Sequence, residues 1–156
     1  MKEIFFISGL PRAGNTLLGS IMNQNPNVVV TANSITADMM GELFSLKKID
    51  IFQNFPDHQS FDNVAAKVFE HYYQDWKADY IIDRAPWGMP VNLGFLKHVR
   101  KNIKIIVLVR DIIEILASFI RFSQKNPGSY IDRNRDRSVE EKCDKLMKKD
   151  GVIVKE

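Results

Sequence analysis

Glu3-Ile-Phe-Phe-Ile-Ser8 runs directly into Gly9-Leu-Pro-Arg-Ala-Gly-Asn-Thr16, and this junction decides the fold. The first six residues are a short apolar run rich in aromatic and branched side chains, as in a strand buried on both faces of a parallel sheet. The next eight have the spacing Gly-x4-Gly-x-Thr, and Leu17, Leu18, Ile21 and Met22 then recur at helical intervals, so a helix is predicted from Asn15 to Asn23. A glycine loop between a strand and a helix turns backbone amides toward an anion, and the helix start adds unpaired N–H groups and a partial positive charge. The lysine of nucleotide triphosphatase loops is replaced by Asn15, and the cation sits within the loop at Arg12. A kinase or ATPase lacking that lysine loses its charge on the transferred phosphoryl group.

Strands and helices alternate after this point. Val28–Thr31 and Tyr80–Asp83 read as strands, and Ile103–Val109 as the strongest, nearly all branched aliphatic. Ser34 is placed to cap a helix reaching about Leu46, and residues 47–59 look irregular. Ser60, Asp62 and Asn63 signal a helix carrying Val64, Val68, Tyr72 and Trp76. Pro90 suits the first turn of a helix ending near His98. Asp111 caps a helix with the stripe Ile112, Ile115, Leu116 and Phe119, broken at Asn126-Pro127-Gly128. A charged stretch begins at Arg133, with a helix from Ser138 to Lys149 that Gly151 stops, and Val152–Val154 opens another element. The pattern predicts a three-layer α/β fold, a parallel central sheet with helices on both faces, as one domain over residues 1–156. In such sheets ligands bind beyond the carboxyl ends of the strands.

Two further motifs fall at strand ends. Asp83-Arg84-Ala-Pro-Trp87 places a carboxylate, a cation and an indole together. The aspartate is in the position of a Walker B magnesium ligand, and Trp87 offers a face for a purine or a substrate ring. Arg110-Asp111 closes the strongest strand, and Ser118 lies two helical turns beyond Asp111 on the same face, where it and Arg110 can grip a second phosphate. Otherwise an arginine at a strand end pairs with a nearby carboxylate, and a helical serine bonds the carbonyl four residues back.

Composition narrows the classes. The net charge of +3 suits an anionic small ligand and is too weak for nucleic acid. Lys97, Arg100, Lys101, Lys104 and Arg110 form a basic stretch that contains no acid. Cys143 is the sole cysteine, so an internal disulfide and a cysteine-rich metal site are excluded. No stretch approaches a membrane span, and the expected setting is cytoplasmic.

Together, Ser8-Gly-Leu-Pro-Arg-Ala-Gly-Asn-Thr-Leu-Leu18 followed by Asn23-Gln-Asn-Pro26, and Val109-Arg-Asp-Ile-Ile-Glu-Ile-Leu-Ala-Ser-Phe119, resemble the two nucleotide motifs of the sulfotransferase family, in particular bacterial and viral-type members distantly related to the tyrosylprotein enzymes. The resemblance implies sulfuryl transfer from 3′-phosphoadenosine 5′-phosphosulfate (PAPS) to a hydroxyl or amine on a small molecule or biopolymer. The product is adenosine 3′,5′-bisphosphate, and no metal is required. It assigns Arg12, Ala13, Gly14, Asn15, Thr16 and Leu17 to the 5′ side, Leu17 through its backbone amide, and Arg110 and Ser118 to the 3′-phosphate. Arg84 falls where relatives place a lysine on the leaving oxygens, which makes Arg12 and Arg84 catalytic cations and Asp83 structural or acid–base. Where tyrosylprotein enzymes carry a glutamate base, this chain has Asn33; His58, Asp83, Asp38 and Glu42 are the substitutes, while His71 and His98 read as solvated. The later basic-glycine loop of the family is not evident, so the chain is expected to lack the C-terminal part of the full fold. The rival readings are a P-loop kinase for a nucleotide or small metabolite, supported by Asp83 and opposed by Asn15, and a non-catalytic anion-binding module. Acceptor and oligomeric state are open.

Overall fold

The computed structural model describes residues 2–125 and 138–148. The expectations at Asn126-Pro127-Gly128, Arg133, Lys149, Gly151 and Val152–Val154 lie outside them. The chain divides into two compact units, one of Met1–Ser8 with Asn15–Val107 and one of Gly9–Gly14 with Leu108–Glu156.

The first unit is built on a four-stranded sheet. Its strands are β1 (Glu3–Gly9), β2 (Val28–Val30), β3 (Tyr80–Arg84) and β4 (Ile105–Leu108), in the order β2-β3-β1-β4. β3 pairs in parallel with both β1 and β2, and the Phe6 N–H donates to the Lys104 carbonyl on the β4 side at 3.0 Å. In parallel pairs facing residues share a side, so the register Ile4↔Ile81 and Phe6↔Asp83 puts these four on one face. That face is sealed by Ala37 and Met40 of α2 (Thr36–Ser45), by Ala65 and Phe69 of α4 (His58–Tyr72) with Tyr73 after it, by Trp87, and by Leu96 of α5 (Pro90–Val99). The rings of Phe6, Phe69 and Trp87 meet edge-on or tilted, with centroids 5.2–5.6 Å apart. The opposite face carries Ile7, Ile82 and Val30, and α1 (Asn15–Met22) covers it closely: a Cβ on Gly19 would lie 3.2 Å from Val30 Cγ1. The parallel α/β architecture expected from the alternation is therefore present, with helices on both faces of the sheet.

Several local expectations are corrected. The fully buried positions are Ala65 and Phe69 of α4 and Tyr73 after it; of the expected Val64, Val68, Tyr72 and Trp76, Val68 and Trp76 pack partly buried against the core, while Val64 and Tyr72 are exposed. The region expected to be irregular holds a 3-10 turn, Leu46–Lys48, and a short helix α3, Asp50–Asn54. Asp57, not Ser60, caps α4, its carboxylate accepting from the Ser60 N–H at 3.0 Å. Ile35 holds the N-cap position of α2 without a side-chain cap, and Ser34 accepts the Thr36 N–H instead. On α1, Leu17 and Ile21 are 67% and 59% exposed; close approach to the sheet is made by Gly19, where an added Cβ would press on the Val30 side chain. β4 is shorter than Ile103–Val109 and stands at the end of the strand order, so Val107 is exposed rather than buried.

In the second unit, α6 (Ile112–Lys125) and α7 (Val139–Met147) pack through Ile115, Phe119 and Leu146, with Ala13 and Leu116 against them. Asp111 caps α6 by accepting from the Ile113 N–H at 2.8 Å, and Ser138 with Glu141 forms a capping box on α7.

Phe69 is the hub of the aromatic core. Phe69→Ala is expected to lower the unfolding free energy by about 3–5 kcal/mol, read as a shift of the urea midpoint at unchanged slope.

Candidate functional site

The loop Gly9–Gly14 is closed by the Ala13 N–H on the Leu10 carbonyl at 3.1 Å. Two of its residues have positive φ, Arg12 at 68° and Gly14 at 113°. At Gly14 the dihedral is the constraint rather than space, since an added Cβ would meet only Leu108 Cδ2 at 3.7 Å. A non-glycine residue in the left-handed region costs roughly 1–2 kcal/mol. The surroundings of Arg12 hold it there: its Nε–H donates to Ser118 Oγ at 3.1 Å, Arg110 Nη1 donates to its carbonyl at 3.0 Å, and its guanidinium lies 5.1 Å from the centre of the Phe122 ring. Arg110 also donates from Nε to Glu114 at 2.8 Å. One unit thus brings together Arg12, Ala13, Gly14, Arg110 and Ser118, residues drawn from two motifs 98–106 positions apart in sequence. Backbone strain of this kind persists where tertiary contacts over-determine it, as at ligand clamps.

The other unit holds Asn15, Thr16, Leu17, Asp83 and Arg84. Arg84 follows Asp83 in β3, so the two side chains point to opposite faces of the sheet and do not pair. Arg84 donates from Nη1 to Thr16 Oγ1 at 2.9 Å and from Nη2 to Asn33 Oδ1 at 3.0 Å. Both acceptors are neutral. The guanidinium is half-buried, which lowers its pKa through desolvation. A guanidinium has five donors, and the remaining N–H groups of Arg84 have no partner among the described residues.

Asp83 lies on the core face with no solvent exposure. Its Oδ2 accepts from Thr36 Oγ1, from Tyr73 Oη at 2.8 Å and from Ser34 Oγ at 3.2 Å, and its Oδ1 accepts from Trp87 Nε1 at 3.0 Å. Burial pushes its carboxyl up from the ordinary 3.8, against the pull of these bonds. Two expectations are corrected here. A carboxyl sealed in the core with four donors on it offers nothing to a substrate proton, so Asp83 is not placed for acid–base chemistry. Trp87 is wholly buried against Phe6, so its face is closed to a purine or a substrate ring.

Other candidates fall elsewhere. His58 packs edge-on to Phe52, with centroids 5.2 Å apart. His98, expected to be solvated, bonds Asp62 Oδ1 at 2.8 Å, and Lys47 joins the same oxygen at 3.1 Å. Sequence reading missed Tyr73, Thr36 and Ser34 as partners of Asp83; the bond from Arg110 to Glu114 is the nearby-carboxylate alternative, whose signal is the i,i+4 spacing of opposite charges.

Fold and side chains define an α/β protein with a cationic glycine loop after its opening strand. A model of the sulfotransferase family matches residues 5–150, and the chain belongs to that family, a family of transferases. Comparison with curated proteins gives no match. Among the described residues, no helix is long and apolar enough to cross a membrane.

A raised native pKa means that the folded state holds the Asp83 proton more tightly than the unfolded chain does. Its stabilising effect is then complete below the unfolded value and is lost as pH rises through the native one. Wild type is therefore expected to lose stability relative to Asp83→Asn as pH is raised from acid to neutral, checked by urea midpoints across that range. The opposite slope would mean that the hydrogen bonds outweigh burial.

Proposed function

We propose that the chain transfers a sulfuryl group from PAPS to a hydroxyl or amine acceptor and releases adenosine 3′,5′-bisphosphate. The observation that carries this reading is the bonding of the loop arginine, Arg12, to Ser118, with Arg110 on the loop backbone. The loop part of the first motif, Gly9–Gly14, and the second motif, assigned to the two anionic ends of one nucleotide, share a single compact unit. The donor chemistry fits. Ser118 accepts from Arg12 and keeps its own O–H to give, and Arg110 and Arg12 retain N–H groups without partners among the described residues. Arg110 and Ser118 take the 3′-phosphate. Arg12, Ala13, Gly14, Asn15, Thr16 and the Leu17 amide take the 5′ phosphosulfate.

In sulfuryl transfer the moving group is planar, the entering and leaving atoms lie in line, and negative charge builds on the bridging oxygen. Catalysis rests on positioning and on cations aimed at that oxygen. Arg84 fills this role with its charge undiminished, because both of its bonded partners are neutral oxygens. Asp83 speaks against the kinase reading: the carboxylate that would hold magnesium has its lone pairs taken by four core donors.

Calorimetry with adenosine 3′,5′-bisphosphate tests the proposal. Binding is expected to be indifferent to magnesium and to weaken roughly tenfold to a hundredfold in Arg110→Ala, the range for charge-assisted hydrogen bonds. Tighter binding of ADP with magnesium would overturn it in favour of a kinase. Sulfate transfer from PAPS across a panel of alcohols, phenols and amines is expected to reveal turnover. Donor binding without turnover would make the chain a binding module.

A further inference from the structure

We propose that Asp83 is a positioning residue that acts through Arg84: with Ser34, Thr36, Tyr73 and Trp87 it locks the end of β3, so that the Arg84 guanidinium is held against Thr16 and Asn33. The inference rests on the proposed function only in giving Arg84 its purpose; the lock itself is a matter of geometry.

Asp83 and Arg84 are neighbours in a strand, so fixing one side chain on the core face fixes the direction of the next on the other face. The four donors to Asp83 come from three separate places: Ser34 and Thr36 at the entry to α2, Tyr73 at the exit of α4, and Trp87 in the turn after β3. Ser34 also contacts the Tyr73 hydroxyl at 3.1 Å and Thr36 Oγ1 at 2.7 Å, so the donors are tied to one another. The stretch that runs from the end of β2 into α2 grips the backbone of Arg84 at both of its polar groups. The Ser34 N–H donates to the Arg84 carbonyl at 2.9 Å, and the Arg84 N–H donates to Thr31 Oγ1 at 2.8 Å. Asn33, which receives Nη2, directly precedes Ser34. The residue that orients the guanidinium and the residue that carries it are thus each bonded through their chain neighbours to the same buried carboxyl group.

For stability alone this is a poor arrangement. A buried carboxyl group without a cation partner is costly, and well-packed apolar residues commonly do as well or better at such positions. Convergent directional bonds give what apolar packing does not, a single orientation of the strand end. An arginine side chain loses rotamer freedom when it is held still, so a site that presents it already ordered saves that cost at binding.

The test compares Thr36→Val, which keeps shape and loses the hydroxyl, with Thr36→Ser, which keeps the hydroxyl, alongside Tyr73→Phe and Asp83→Asn. The first readout is NMR of the Arg84 Nη–H groups, the ones held on Thr16 and Asn33, which needs no ligand. A slowly exchanging signal is expected in wild type and in Thr36→Ser, and a broadened or fast-exchanging one in Thr36→Val and Tyr73→Phe. An unchanged Arg84 signal in both of these variants overturns the inference. The second readout is affinity for adenosine 3′,5′-bisphosphate in a double-mutant cycle with Arg84→Ala. Each network variant is expected to weaken binding about tenfold in the wild-type background and not at all in the Arg84→Ala background. Equal losses in both backgrounds would show a general structural effect and overturn it. If the wild type does not bind the bisphosphate, the proposed function fails while the NMR arm still decides the positioning role. If Asp83→Asn does not fold, the Thr36 pair and Tyr73→Phe carry the same comparison.

Discussion

A carboxyl group sealed inside a protein must find donors, and the donors that reach Asp83 organise the site end of the sheet. Trp87, Tyr73, Thr36 and Ser34 converge on its two oxygens from three segments of the chain. Trp87 and Tyr73 are also among the largest wholly buried side chains. The aromatic core and the polar cluster therefore share members: the rings fill volume while their polar atoms are satisfied by Asp83. Moving α4 or the entry to α2 would strand a buried polar atom as well as open a void. The turn after β3, the entry to α2 and the exit of α4 are held to one geometry for this reason.

Much of the fold was legible because its signals were local. The apolar run of β1, the glycine loop, the capping role of Asp111 and the start of α5 at Pro90 all depend on residues within a few positions of each other. What was not legible depended on distant partners. The face of α4 was read correctly at Val68 and Trp76 and wrongly at Val64 and Tyr72, because hydrophobic spacing favours Tyr72, whereas the fully buried tyrosine is Tyr73, whose hydroxyl reaches Asp83. A tyrosine next to another tyrosine carries no mark of which one has a polar partner in the core. Ser34 looked like a helix cap for the same reason; its hydroxyl does accept the Thr36 N–H but also serves Asp83, and the cap position falls to Ile35.

The candidate site was legible in its residue types and not in its partnerships. Arg12, Arg84 and Arg110 stand out as cations at strand ends, yet adjacency in sequence does not bring Arg84 and Asp83 to one place. The pleat separates them, because consecutive strand residues face opposite ways. The same alternation turns Asp83 from an apparent site carboxylate into a core residue. Asn33 had drawn notice only as the residue standing where a glutamate was expected; its carbonyl oxygen is one of the two groups that hold Arg84.

That neutral oxygen bears on how the two strand-end arginines differ. Arg110 donates to the carboxylate of Glu114, so its field is partly cancelled before any ligand arrives. Arg84 is held by an amide oxygen and a hydroxyl, which direct the guanidinium without reducing its charge. A glutamate at position 33 would hold the same N–H group more firmly and would offset most of the positive potential at short range. For gripping a phosphate that stays an anion throughout, a partly neutralised arginine suffices. For meeting charge that appears only as a bond breaks, the cation must be both still and uncompensated, since only stabilisation that grows toward the transition state speeds the step. Under the proposed sulfuryl transfer, the neutral clamp on Arg84 would meet both conditions.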